Sequence, residues 1–164
     1  LGLRSNLDTT RALLDACRAQ AARGGPVPLF IFSSSVAVYG SDPAVPLPAV
    51  VDDRTLPTPQ SSYGIHKFIC EQLVADYTRK GHIDGRVARL MTVSVRPGRP
   101  NGAASSFLSG IVREPLAGVE AVCPVAPDTA VALASPASTI AGLIAVAEAT
   151  REAFGGRTAL NLPA

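Results

Sequence analysis

Tryptophan is absent from these 164 residues, one methionine and three cysteines are present, and the aromatics are five phenylalanines and three tyrosines. Cys17, Cys70 and Cys123 are odd in number, far apart and without C-x-x-C spacing, which excludes a disulfide framework and a cysteine zinc site. Cys17 and Cys70 fall on apolar helix positions and read as packed thiols, in keeping with a reducing cytoplasm. His66 and His82 have no second ligand at useful spacing, so no metal site is expected; His66 reads as a helix-surface or pocket-rim residue. No apolar run is long enough to span a membrane. Charged residues make up only 17% of the chain with a net charge of +2. Lysine and arginine are scattered rather than clustered, which gives no reason to expect a nucleic-acid partner. Internal repeats and low-complexity tracts are missing. So is any G-x-G-x-x-G, the turn that cradles a dinucleotide pyrophosphate on a helix N-terminus.

What is present is a hydrophobic content of 47%, suited to a sheet covered on both faces in a chain long enough to bury a core. A helix is predicted from Leu3 to about Ala22, with Leu7, Leu13, Leu14 and Cys17 as a partial apolar stripe, stopped by Gly24-Gly25-Pro26. Leu29 to Ser34 reads as a buried parallel strand ending in serine. Ser41 to Pro59 holds five prolines and no periodicity, so it reads as a loop long enough to be functional. A helix follows from Ser61 to Lys80, with Ile65, Ile69, Leu73 and Tyr77 spaced by four. Further expectations are a strand over Arg86 to Val95, a helix over Ala104 to Leu116 and short strands over Val119 to Val125 and Val131 to Ala134. A helix over Thr139 to Glu152 and a last strand over Ala159 to Leu162 complete the reading. Alternating strands and helices imply α/β architecture: part of a Rossmann-like, doubly wound parallel sheet with its ligand site at the strand C-termini.

Tyr63 and Lys67 stand four apart on the second helix, so their side chains share one face. A phenol ordinarily holds its proton to about pH 10, and a neighbouring ammonium favours the phenolate. A serine hydroxyl from the adjacent strand end would hold a substrate oxygen against that phenol. Together these groups form machinery for moving a proton on a secondary alcohol or ketone while a hydride moves elsewhere. Alternation puts Ser33 and Ser35 on one strand face and Ser34 on the other, where Ser34 would pack or satisfy backbone groups. Asn6 would suit a helix N-cap, and Pro97-Gly98 an ordinary turn.

Tyr-x-x-x-Lys-x-x-x-Glu, with Ser-Ser-x-x-x-x-Tyr-Gly upstream, resembles the extended short-chain dehydrogenase/reductases, also called the NAD-dependent epimerase/dehydratase family. Asn6 to Ala16 and the loop Arg96-Pro97-Gly98-Arg99-Pro100-Asn101 are similar to further stretches of that family. Ala103 to Phe107 and Arg113 to Leu116 narrow the resemblance to the branch containing D-erythronate dehydrogenases.

The resemblance implies Tyr63 as acid/base, Lys67 as its activating cation and ribose partner, and Ser35 as the group on the reacting oxygen. It makes Asn6 an organiser of backbone and water near Lys67, and Glu71 structural. Cofactor contacts would come from Tyr63, Lys67, Ser33, Pro97 and Gly98. Substrate contacts would come from Ser35, Tyr39, Asn101, Ser105, Ser106 and Arg113, although Tyr39 also suits simple packing and Arg113 a surface position.

Members of that family are much longer and open with a glycine-rich turn, so the chain reads as an internal segment, expected to be inactive alone. Residues 1–101 would form the second half of the cofactor domain, with substrate elements and the last helix and strand in 102–164. The implied cofactor is NAD, with NADP not excluded, and the implied partners are a small sugar-derived substrate such as D-erythronate and a second copy in a homodimer. A nucleotide-sugar epimerase or dehydratase is the alternative within the family. A cofactor-binding relative without catalysis is the alternative outside it.

Overall fold

The computed structural model describes residues 2–98 and 104–164. Helix α1 (Thr9–Ala22) leads to β1 (Leu29–Ser35), α2 (Ser62–Arg79) and β2 (Asp84–Leu90). Then come β3 (Thr92–Val93), α3 (Phe107–Leu116), β4 (Leu133–Ala134), α4 (Pro136–Glu148) and β5 (Ala159–Asn161). β1, β2 and β5 form a parallel sheet in that order, and β3 pairs in parallel with β4 as a separate small ladder. This is the α/β, Rossmann-like architecture that the alternation of strands and helices predicts.

The sheet is packed on both faces around β2, while Leu29, Ile31 and Ser33 on one face of β1 stay exposed. Leu14 of α1 and Cys70 and Val74 of α2 meet Phe32, Ile83 and Val87 on one side. Val146 of α4 meets Ala88, Phe154 and Leu162 on the other. β2 sits between these layers, and its successive residues alternate between them as a pleated strand must. Two arginines share that buried strand. Arg86 donates to the carbonyls of Val146 (2.8 Å), Ala147 (2.9 Å) and Ala149 (2.5 Å) at the end of α4. Those carbonyls have no partner within the helix, and a cation there also complements the helix dipole. Arg89 faces α2.

Several boundaries differ from the sequence reading. The four-spaced set Ile65, Ile69, Leu73 and Tyr77 is not the buried stripe of α2, because steps of four overrun a helical turn and wind away from the sheet. Buried instead are Gly64, Cys70, Glu71 and Val74, while Ile65 and Ile69 stay exposed. Leu13 is likewise exposed, and Thr10 and Leu14 carry the buried face of α1. The strand expected over Arg86 to Val95 breaks after Leu90, and Thr92 and Val93 pair with Leu133 and Ala134. Val119 to Val125 forms no strand. The Val119 amide donates to the Glu114 carbonyl and Gly118 adopts φ +72°, a left-handed cap that closes α3 rather than a ladder. α4 stops at Glu148, before the expected Glu152.

Candidate active site

Ser61 opens α2 by accepting the Gly64 amide at 3.0 Å, an N-cap that fixes where the helix begins and so where Tyr63 stands. Gly64 lets this first turn press against the short 3₁₀ turn after β1. A Cβ there would lie 2.0 Å from the Ala37 carbonyl oxygen, so only glycine permits the approach. That approach brings Tyr63 beside the end of β1.

The result is a cavity of about 830 Å³ at the C-terminal ends of β1 and β2, where ligands bind in open parallel sheets. Among the described residues, Ser35, Ser61, Tyr63, Thr92, Arg96 and Ser105 line it with hydroxyls and a guanidinium, and Leu90, Met91 and Val93 supply apolar wall. Tyr63 is 46% exposed, so its phenol is open to a substrate. The Ser35 hydroxyl accepts the Ala37 amide at 3.1 Å, which orients the oxygen and leaves its proton for donation.

Lys67 lies one turn further along α2 and donates to the Ser33 carbonyl at 2.8 Å. Its ammonium sits 4.8 Å from the Phe32 ring centroid and 5.7 Å from that of Tyr63, within cation–π range of both. Burial pushes its pKa down, while the Ser33 carbonyl and the rings favour the cation. The three residues of the proposed catalytic set thus gather around one strand end.

Other expected site residues fall elsewhere. Asn6 is not an N-cap: it lies inside the five-residue π-helical turn Arg4–Asp8, a rare wide turn often associated with function. Its carbonyl accepts from Thr10 Oγ1 at 2.8 Å and from Cys70 Sγ at 3.3 Å, which ties this turn to α2 just past Lys67. Tyr39 is committed to a buried network, accepting from Arg89 at 2.6 Å and donating to Asn161 at 3.0 Å, so it braces the wall. Arg113 donates to the Arg96 carbonyl at 2.9 Å and pairs with Glu114. Its charge is therefore answered locally rather than offered to a substrate. Ser105 lines the cavity and Ser106 follows it in the same 3₁₀ turn. Pro97 and Gly98 follow Arg96 at the cavity edge, with Gly98 at φ +96°. Asn101 lies outside the described residues.

The buried Glu71–Arg89 pair escaped the sequence reading. Arg89 donates through Nε at 3.0 and 3.2 Å and through a second nitrogen at 2.6 Å to the Glu71 carboxylate. Ser34 donates to that carboxylate at 2.5 Å. Burial opposes the charge on Arg89, and Glu71 outweighs that cost, so its pKa moves up. Two arginines three apart in a largely apolar strand were the available signal, since such charges survive burial only when paired.

Residues 2–130 match the model of the NAD dependent epimerase/dehydratase family. The chain belongs to that family. It is 55% identical to a D-erythronate dehydrogenase of Cupriavidus necator, over 99% of this chain and 48% of that protein. A D-erythronate dehydrogenase of Haemophilus influenzae is 44% identical over 99% of this chain and 49% of its own length. The chain thus spans about half the length of the curated relatives it matches. Among solved structures, the nucleoside-diphosphate-sugar epimerase of Agrobacterium tumefaciens superposes with a TM-score of 0.88 at 46% identity, covering 98% of this chain and 46% of that one. No helix among the described residues is long and apolar enough to cross a membrane, and none of their side chains form a metal-binding cluster.

Proposed function

We propose that this chain carries the catalytic half of an NAD-dependent dehydrogenase that oxidises a secondary alcohol of a sugar acid such as D-erythronate. The observation that carries the reading is the convergence of Tyr63 and Ser35 on one cavity, with the Lys67 ammonium held beside Tyr63 by the Ser33 carbonyl. The relatives named D-erythronate dehydrogenase, at 55% and 44% identity, support the substrate.

In this reading Ser35 donates a hydrogen bond to the reacting oxygen and Tyr63 takes its proton as the carbonyl forms. The Lys67 charge stabilises the phenolic oxygen while it lacks a proton. Exposed Ser33 and half-buried Lys67 at the end of β1 fit the ribose end of a nicotinamide nucleotide, with Pro97 and Gly98 at the cavity edge beside it. NAD, when bound, supplies the hydride acceptor. Full-length protein given D-erythronate and excess NAD is expected to accumulate NADH. The likeness to a sugar epimerase favours a second reading in which hydride returns to the substrate and no NADH accumulates. Absorbance at the NADH band with each substrate class separates the two.

The proposed assembly is a homodimer. α1 and α2 lie side by side, tied by Tyr77 donating to Asp15 at 2.7 Å, and leave Leu3, Leu13, Ile65 and Ile69 exposed. A two-fold axis would bury each such patch against its copy. Solution scattering of the full-length protein is expected to give a dimer mass; a monomer mass at micromolar concentration would contradict it. The proposed location is the cytoplasm, supported by the three cysteines being free thiols.

A further inference from the structure

Among the described residues that line the cavity, Arg96 is the only charged one. Its backbone is strapped to α3 from both ends. The Arg96 amide donates to the buried Ser109 hydroxyl at 3.0 Å, and the Arg96 carbonyl accepts from Arg113 at 2.9 Å. Two residues earlier, Ser94 donates to the Leu108 carbonyl at 2.8 Å. With amide and carbonyl both turned to α3, the side chain is what Arg96 brings to the cavity wall. Arg113, the arginine on α3, is answered by Glu114. The rest of the lining is hydroxyl groups and apolar surface.

We propose that Arg96 binds the carboxylate of the substrate, making this a pocket for a small polyhydroxy monocarboxylate; the proposal rests on the dehydrogenase reading above. A planar guanidinium matches a carboxylate with two parallel hydrogen bonds. A pinned backbone limits the freedom lost when that contact forms. The hydroxyls of Ser35, Ser61, Thr92 and Ser105 answer the hydroxyls of such a substrate. A nucleotide diphosphate, with its larger negative charge, would meet a single cation among the described lining residues.

The test uses the full-length protein with saturating NAD, comparing D-erythronate with its uncharged amide. Charge-assisted contacts of this kind are worth roughly 10- to 150-fold in binding, so the wild type is expected to prefer the acid by about that factor. Arg96→Gln is expected to raise KM for D-erythronate by a similar factor and bring the preference close to one. Arg96→Lys should recover part of it. Should Arg96→Gln fail to fold, the acid-over-amide ratio of the wild type still decides, because equal KM values overturn the proposal. Wild-type oxidation of D-erythronate with an unchanged KM in folded Arg96→Gln overturns the Arg96 assignment alone. Failure of the wild type to form NADH from any sugar acid overturns the dehydrogenase reading and this proposal with it.

Discussion

Tyr63→Phe in the full-length protein is expected to lower turnover by about 10²–10⁴-fold while NAD binds nearly as before. The substitution removes one oxygen from a side chain that lines the cavity beside Ser35. It leaves the ring that faces the Lys67 ammonium, and so the local packing, in place. The loss therefore falls on proton transfer and on the hold over the reacting oxygen. Lys67→Met provides the contrast. It removes the cation beside Tyr63 and the group proposed to hold the ribose, so NAD affinity and turnover should fall together. Steady-state kinetics with fluorescence titration of NADH separates these effects. Turnover of Tyr63→Phe within about threefold of wild type would remove Tyr63 from the chemistry.

Glu71→Ala is expected to destabilise the fold by about 3–5 kcal/mol. Glu71 is 2% exposed and Arg89 6%, so deletion leaves a buried guanidinium without its counter-charge and Ser34 without its acceptor. A loss of that size is a large share of the roughly 5–15 kcal/mol that holds a typical domain together. Removing both charges at once, as Glu71→Leu with Arg89→Met, should recover much of the loss, because no buried charge is left unpaired. Denaturant midpoints of the full-length variants measure this. A Glu71→Ala cost below about 1 kcal/mol would place the pair outside the buried core. Activity adds a second readout. Glu71 lies one turn past Lys67 and its partner Ser34 adjoins Ser35, so a folded Glu71→Gln variant should lose turnover more than NAD affinity.

The proposed catalytic set was legible as a spatial grouping because each member rests on local geometry. Spacing by four places Tyr63 and Lys67 on one helical face whatever surrounds the helix. Alternation along β1 sends Ser34 to α2 and leaves the Ser33 and Ser35 side chains on the opposite face, as period two requires. Asn6 fared differently. Asparagine before a helical run suits an N-cap, yet here the backbone is already helical at Leu3 and widens into a π turn that is held against α2 through the Asn6 carbonyl.

By itself, the sequence determined the α/β alternation, the proline-rich loop and the shared helical face of Tyr63 and Lys67, since periodicity, turn chemistry and i, i+4 spacing are properties of neighbours along the chain. Only the tertiary structure decided which face of α2 is buried, because that depends on the contact between Gly64 and the Ala37 carbonyl. It also decided that β2 carries two buried arginines, each answered from another element: Arg86 by the end of α4 and Arg89 by Glu71. The different surroundings of Arg96 and Arg113 have the same origin. Arg113 suited either a carboxylate partner or a surface position in sequence, and folding sets it against Glu114 and the Arg96 carbonyl, with Arg96 at the cavity wall. Which groups a buried or half-buried charge meets is set by how elements pack, and that packing exists only once the chain has folded.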